Sequence, residues 1–485
     1  MIDEQKLWKT AYLWIRYLNY RCIHYEPDRN EVWLFNSKKE HVAIFKYGTF
    51  TSQELDFDKN KIIDHDKQLK EHLNHSIRKY DFFIFTDKTF NASSLNITNP
   101  VHLFFHPILT GKDLNNINNH SLVKFFITKN DKKSQDDYKK KVLNTNVVEQ
   151  SMYRFAPITN ILIIVNVLIW LMITLFLPHR SDIEIINLGA LSHFNVVQGE
   201  WYRLITSMFL HLNFEHLIFN MFSLYIFGKL VEAHIGSLKT LAVYLVSGIF
   251  GNLISLAILP QGFSVGASGA IFGLLGALVA LMIISKKFTH KTLIQLIIAI
   301  IIMAVITLLV RNVNIVAHLS GLLGGFIIIY LSFYKKNSKK YFYVLLILSI
   351  LCLIVSTIKI FLTPDVNIYN EIIQKEMHNG NFTKSKSMIQ NTEKHHYNDD
   401  ETYVLSGLII ATQDSKAEAM DEWERGLREF PNSAALNYQI ALANRSLSDN
   451  KNAKKFIDKA LKSEPNNHNY QNLKKELDDT NANKS

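Results

Sequence analysis

Two short stretches of this 485-residue chain hold side chains suited to chemistry: Gly266-Ala267-Ser268-Gly269, and Ala317-His318-Leu319-Ser320-Gly321. Each sits at or inside an apolar run of bilayer-crossing length. A hydroxyl and an imidazole are costly at that depth, so they are functional candidates by default. An imidazole within about 2.6–3.2 Å of a hydroxyl can take its proton and turn the serine into a nucleophile. Ser268 opens its apolar run just after Pro260-Gln261-Gly262-Phe263-Ser264, where a helix would begin. Free backbone N–H groups and the positive end of the helix dipole favour negative charge on a carbonyl oxygen attacked there.

The flanking glycines imply how the two groups meet. Gly269, Gly273 and Gly276 recur at i, i+4 and i+7, and His318, Gly321 and Gly325 at i, i+3 and i+7. Small residues on one face let membrane helices approach closely. No aspartate or glutamate occurs between Ala233 and Pro364. The expectation is therefore a Ser268–His318 dyad without a third carboxylate. His216 and Asn220, four residues apart, share a helix face. Unpaired polar groups facing lipid would be expensive, so this pair is read as a second part of the site, against the plainer use of bonding two helices together.

Seven spans are expected, at Ile158–Leu177, Leu204–Phe227, Leu238–Leu259, Ala267–Ile284, Leu293–Val310, Ile315–Phe333 and Tyr341–Phe361. Each approaches the roughly 20 helical residues that cross a bilayer. Lysines gather in alternate loops, at Lys229 and Lys239, Lys286–Lys291, and Lys335–Lys340. Cytoplasmic loops retain positive charge, which places the N-terminus in the cytoplasm and the C-terminal tail outside. Those loops and the Lys129–Lys141 stretch account for much of the net charge of +10. No zinc-finger or RNA-binding signature accompanies it, so nucleic acid is not an expected partner. Cys22 and Cys352 are too few and too distant for a disulfide framework or thiolate metal site. The opening Met1–Gln5 lacks the charged and apolar regions of a cleaved signal peptide. The composition, rich in Lys, Asn and Ile, suggests a bacterial plasma membrane.

The expected fold is multi-domain. An N-terminal soluble α/β domain (1–150) precedes an α-helical polytopic membrane bundle of six plus one helices (151–335 and 336–364), and a C-terminal α-helical repeat domain (365–485) follows. In the first domain, Leu7–Leu18 reads as an amphipathic helix, and Val32–Phe35, Val42–Tyr47, Tyr80–Phe85, Val101–Phe105 and Val123–Thr128 as strands. Acids and lysines in the hairpin around Glu26–Lys46 resemble a nuclease-like metal site, but charge on a solvent-facing strand explains them. His24, His41, His102 and His106 are read as structural. In the tail, Pro431 and Pro465 lie 34 residues apart, with Leu408/Leu442, Ala419/Ala453, Trp423/Ile457 and Leu427/Leu461 at the same offset. That period resembles tetratricopeptide repeats. A degenerate earlier unit covers about Asn367–Asn398, with Ser385 and Ile389 in register. The tail is a candidate surface for protein partners or a short packing module.

Over about residues 155–335 the motifs resemble the rhomboid family of intramembrane serine proteases. They are Trp201-Tyr202-Arg203, His211-Leu212-Asn213-Phe214-Glu215-His216-Leu217-Ile218-Phe219-Asn220, the Ser268 quartet and the His318 pentad, in the family's order. The resemblance implies a Ser268–His318 dyad acting through an acyl-enzyme, with His216, Asn220 and the Ser268 N–H as the oxyanion hole. Gly266, Gly269, Phe272, Gly321, His211, Trp201 and Arg203 are supporting residues, and Glu232 is structural. It implies substrates with a transmembrane helix, met in the lipid bilayer, and no metal or other cofactor. Phe272 stands where many members carry tyrosine: the ring can still stack, but the hydroxyl is gone. Spacing rules out a zinc site of the H-E-x-x-H kind, because His211 and His216 are five apart. The rival reading is a non-catalytic scaffold or transporter with Asn252, Gln295 and Thr307 lining a path. No matching inverted repeats accompany it.

Overall fold

The computed structural model describes residues 3–118, 120–129, 133–177, 181–285, 294, 298 and 314–482. The chain divides into two compact units, one of residues 1–164, 221–242 and 281–297, the other of residues 165–220, 243–280 and 298–485.

In the first unit, α1 (Glu4–Leu18) is capped by Asp3, which accepts from the Lys6 N–H. A five-stranded sheet follows in the order β1 (Arg21–Glu26), β2 (Glu31–Asn36), β3 (His41–Tyr47), β4 (Lys79–Phe85), β5 (Leu103–Ile108). The first three strands form an antiparallel meander and the last two pair in parallel. The crossover between β3 and β4 is α2 (Ser52–Leu73), opened by a Thr51/Glu54 capping box. Val32, Leu34, Phe45 and Phe83 face α1, whereas Trp33, Ile44 and Phe82 face Leu55 and Ile62 of α2. A sheet buried on both faces needs continuous apolar strands rather than alternating ones, as Val32–Phe35 and Phe82–Phe85 are.

Three expectations need correction here. Val123–Thr128 is not a strand but lies in a helix; after α3 (Gly111–Asn116) comes α4 (Ser121–Thr128), which buries Val123 and Ile127 one helical turn apart. The strand expected at Val101–Phe105 runs instead over Leu103–Ile108, and β1 was not foreseen because its Arg-Cys-Ile-His-Tyr-Glu sequence has no apolar run. Two of the hairpin charges, Glu31 and Lys46, are not solvent-facing, although Asp28, Lys38 and Lys39 are exposed. Lys46 is wholly buried and reaches Asp58 at 2.5 Å and Glu31 at 3.4 Å. His41 and His106 both reach the Asp81 carboxyl at 2.8 Å. Burial alone would raise that carboxyl's pKa, but bonds from His106, His41 and Lys79 outweigh it and hold Asp81 below the usual carboxylate range. Among the described residues no cluster of His, Cys, Asp and Glu is arranged to hold a metal.

Helices α5 (Gln135–Val142) and α6 (Val147–Tyr153) lead to α7 (Pro157–Phe176). In the second unit α8 (Asp182–Asn187), β6 (Leu191–Ser192), α9 (His193–Val197) and α10 (Arg203–Thr206) form the segment before α11 (Phe214–Ile235). Next come α12 (Ser237–Ile258), β7 (Phe263–Ser264), α13 (Ser268–Ser285), α14 (Ile315–Asn337) and α15 (Lys339–Leu362). Among the described residues α7, α12, α14 and α15 are long and apolar enough to cross a membrane, and α13 is a shorter apolar helix. The helix expected as the second span, α11, begins at Phe214 rather than Leu204, because Arg203 is anchored in the preceding segment by the Ile186 and Ala190 carbonyls, and it is not among those four. Of the fifth expected span, Leu293–Val310, only residues 294 and 298 fall within the described residues. Glu232 stays structural: its carboxylate accepts from the Ile158 and Thr159 N–H groups, the Thr159 hydroxyl and the Ser237 hydroxyl, capping the start of α7.

The tail forms α16 (Ile368–His378), α17 (Phe382–Lys394), α18 (Asp400–Gln413), α19 (Lys416–Glu429), α20 (Ala434–Ser446), α21 (Asn450–Ser463) and α22 (His468–Ala482). These are three successive helix pairs and a last helix. The degenerate first unit is thus a formed pair that buries Ser385 and Ile389. Trp423 and Ile457 occupy equivalent buried positions in the next two, as their 34-residue offset predicts. About three repeats are needed to close a continuous core, and three are present.

Candidate active site

Gly266 leads into α13 with φ +121°, a left-handed conformation that side chains rarely adopt. A Cβ there would also lie 2.7 Å from the His216 ring. Its N–H donates to the Ser207 carbonyl at 2.8 Å. Two residues later the Ser268 hydroxyl lies 2.6 Å from Nε2 of His318 on α14. The Phe272 ring stacks on the imidazole, centroids 4.5 Å apart and planes 6° from parallel. His318 is 6% exposed, and among the described residues its Nδ1 has no hydrogen-bond partner.

Backbone contact between α13 and α14 makes that distance attainable. A Cβ on Gly321 would fall 2.2 Å from the Gly269 carbonyl oxygen, and one on Gly325 would fall 1.8 Å from that of Gly273. Gly276 meets the Leu322 carbonyl in the same way. Any side chain at these positions would push the helices apart and pull Ser268 from His318.

Of the other expected residues, His216, Asn220 and His211 lie together beside Gly266, whereas Arg203 and Trp201 are held elsewhere. His216 borders Gly266, and the Asn220 Nδ2 lies 3.9 Å from where a Gly266 Cβ would stand. Asn220 donates one amide hydrogen to the His216 carbonyl at 2.9 Å, and a side-chain amide carries a second. His211 is buried and meets the His216 ring edge-on at 5.1 Å. Arg203 is fully buried, bonded to Glu200 and to the carbonyls of Ile186 and Ala190. Trp201 packs against Phe361 rather than toward Ser268.

Two positioning residues, Asn314 and Asn252, were not given that role by the sequence. Asn314 caps α14: its Oδ1 accepts from the Ala317 N–H at 3.0 Å and the Ser255 hydroxyl at 2.8 Å, and its Nδ2 reaches Ser264 at 3.5 Å. An Asn directly before an apolar run is a helix N-cap signal, and Asn314 ahead of Ile315-Val316-Ala317 carries it. Asn252, read above as lining a transport path, donates to the Leu204 carbonyl and the Ser207 hydroxyl, so it braces the segment that holds Gly266. Gln295 and Thr307 lie outside the described residues.

Apolar helices that bring a serine and a histidine together define a polytopic membrane protein with a part-buried Ser–His pair. Residues 198–335 match the Rhomboid domain, and residues 436–482 match the Fis1 C-terminal tetratricopeptide repeat. The chain is 34% identical over 196 residues to the rhomboid protein YdcA of Bacillus subtilis, covering 39% of this chain and 96% of YdcA. It is 39% identical over 143 residues to the rhomboid protease GluP of the same organism, covering 29% of this chain but only 28% of GluP. Over 152 residues it is 40% identical to the mitochondrial RHOMBOID-like protein 6 of Arabidopsis thaliana, covering 31% of this chain and 49% of that protein. The chain belongs to the rhomboid family. It is a multi-pass membrane protein with a tetratricopeptide-like tail.

Proposed function

We propose that this protein is an intramembrane serine endopeptidase acting on proteins with a transmembrane helix. The observation that carries the reading is the 2.6 Å approach of the Ser268 hydroxyl to His318 Nε2 in a chain of the rhomboid family. His318 removes the Ser268 proton as the oxygen attacks a substrate carbonyl. The tetrahedral oxyanion accepts hydrogen bonds from His216, Asn220 and the Ser268 N–H. His318 then returns the proton to the leaving amine, which departs and leaves an acyl-enzyme. Water, deprotonated by His318, hydrolyses the ester and restores the serine.

Phe272 keeps the imidazole plane in place by stacking, in the absence of a carboxylate on Nδ1. Gly269 and Gly321 hold the interhelical distance, and Gly266 leaves room beside His216. His211 packs the His216 ring, and Arg203 orders the segment ahead of α11. Trp201, against Phe361, anchors the outer end of α15. Residues 151–335 form the protease core, 336–364 a seventh span, 1–150 a cytoplasmic domain and 365–485 an extracytoplasmic domain open to protein partners. Lysine placement supports that orientation in a cell membrane. No metal or organic cofactor is needed by this chemistry.

The test is cleavage of a single-span reporter by the full chain in proteoliposomes. Ser268→Ala and His318→Ala each lower the rate by at least about 10³-fold, and loss of His216 as an oxyanion donor costs about 10²–10³-fold. Full activity in Ser268→Ala would overturn the assignment.

A further inference from the structure

A module tethered only to gather partners would close its core with its own residues. The first tail pair does not. Ile186, Ala190 and Phe194, from the segment before α11, share one buried cluster with Tyr369 and Ile373 of α16 and Ile389 of α17. Phe263 and Val265 pack against that same cluster. Val265 is three residues from Ser268. Strand pairing adds to the hold, with Leu191 opposite Ser264 and Ser192 opposite Phe263.

Polar contacts repeat the connection. Asn187 donates to the Asn391 side chain at 2.6 Å and accepts from the Tyr369 hydroxyl at 3.0 Å. Asn195 donates to the Tyr369 hydroxyl at 3.3 Å. The Tyr397 hydroxyl donates to Glu200 at 2.5 Å, and Glu200 also binds Arg203. Where α15 ends, His193 lies 2.9 Å from the Ile360 carbonyl and 3.5 Å from the Asp365 carboxylate, so the chain enters the tail already fastened to this segment. Two independent sets of contacts, one apolar and one polar, tie the same tail pair to the same frame.

We infer that α16 and α17 are a positioning element of the active site, acting through Phe263 and Val265 on the loop that sets Gly266 and the Ser268 N–H. This rests on the protease reading above. Loosening the pair frees the loop and misplaces the oxyanion donors, which slows the chemical step while leaving substrate capture intact. Misplacement by about 1 Å is enough to cost 10²-fold in rate.

The experiment compares two equal truncations in full-length protein in proteoliposomes. Ile373→Ala opens the shared cluster, whereas Ile457→Ala opens an equally buried site in the third tail pair. Both are assayed for kcat and KM on a generic single-span reporter and for the rate at which a fluorophosphonate labels Ser268. Ile373→Ala is expected to lower kcat and labelling by about tenfold or more with KM unchanged. Ile457→Ala stays within about twofold of wild type in both. Equal effects of the two, or a change confined to KM, would overturn the inference. Should Ile373→Ala not fold, Ile373→Val is read by the same criteria with a smaller shift. A wild-type chain that does not cleave, or a Ser268→Ala chain that does, defeats the protease reading instead, and the coupling with it.

Discussion

Glycines serve opposite purposes in the membrane helices and in the tail. Between α13 and α14 they bring backbone against backbone: Gly321 faces the Gly269 carbonyl, and Gly325 faces that of Gly273. In the tail they make room for rings. A Cβ on Gly407 would lie 2.1 Å from the Trp423 indole nitrogen, and one on Gly426 would lie 2.7 Å from the Tyr403 Cβ. The difference follows from solvent. In water, burying a large ring is the main source of stability, so a small residue on one helix admits a large one from the next. In lipid the tails are as apolar as leucine, and helices gain from close contact instead. A site that needs two side chains within hydrogen-bond reach is served better by the second arrangement, since backbones are stiffer spacers than side chains.

That contrast can be broken from either side. The largest change is expected for Trp423→Ala, which empties the ring's place and lowers tail stability by about 3–5 kcal/mol; denaturant unfolding followed by circular dichroism in detergent checks it. Gly321→Val forces α13 and α14 apart. Reporter cleavage should fall at least about 100-fold, with the helical content of the bundle retained in the same spectra. Gly407→Ala presses a methyl on the indole and costs about 1–3 kcal/mol of tail stability, which the same denaturation reads. If Gly407→Ala proved neutral while Trp423→Ala did not, the tail glycine would not be a spacer.

The smallest effect concerns pH. Burial by itself would raise the Glu200 pKa, but bonds from Tyr397 and Arg203 outweigh it and hold the carboxyl below the ordinary glutamate range. A depressed acid contributes stability that is present above its unfolded pKa and is lost as pH falls through the folded one. The link from Glu200 to Tyr397 should therefore hold at neutral pH and weaken only under acid conditions. Protection factors for amide exchange of residues 395–400, corrected for the slower intrinsic exchange at low pH, should fall on acidification in wild type and be lower at neutral pH in Tyr397→Phe.

Much of the candidate site's geometry was legible from local spacing. Ser268 and His318 stood out because each is polar in an apolar run, and their glycines recur at helical intervals. His216 and Asn220 were placed together by a four-residue step, and the tail pairs by a 34-residue one. Where the local signal was ambiguous, the reading failed: Val123–Thr128 is as apolar as a strand but packs one helical turn at a time, and Leu204–Ser207 continues an apolar run yet is turned aside by the buried Arg203.

Motif and period by themselves determined that two polar side chains, Ser268 and His318, lie on separate apolar helices with flat faces, and that the tail repeats. Only the tertiary structure decided that Asn252 is a brace, that Asn314 joins three elements, and that Asn187 meets Asn391 across 204 positions. Helical period acts within a few residues and is written in their order. Contacts between distant segments depend on the combined packing of many side chains, none of which announces its partner.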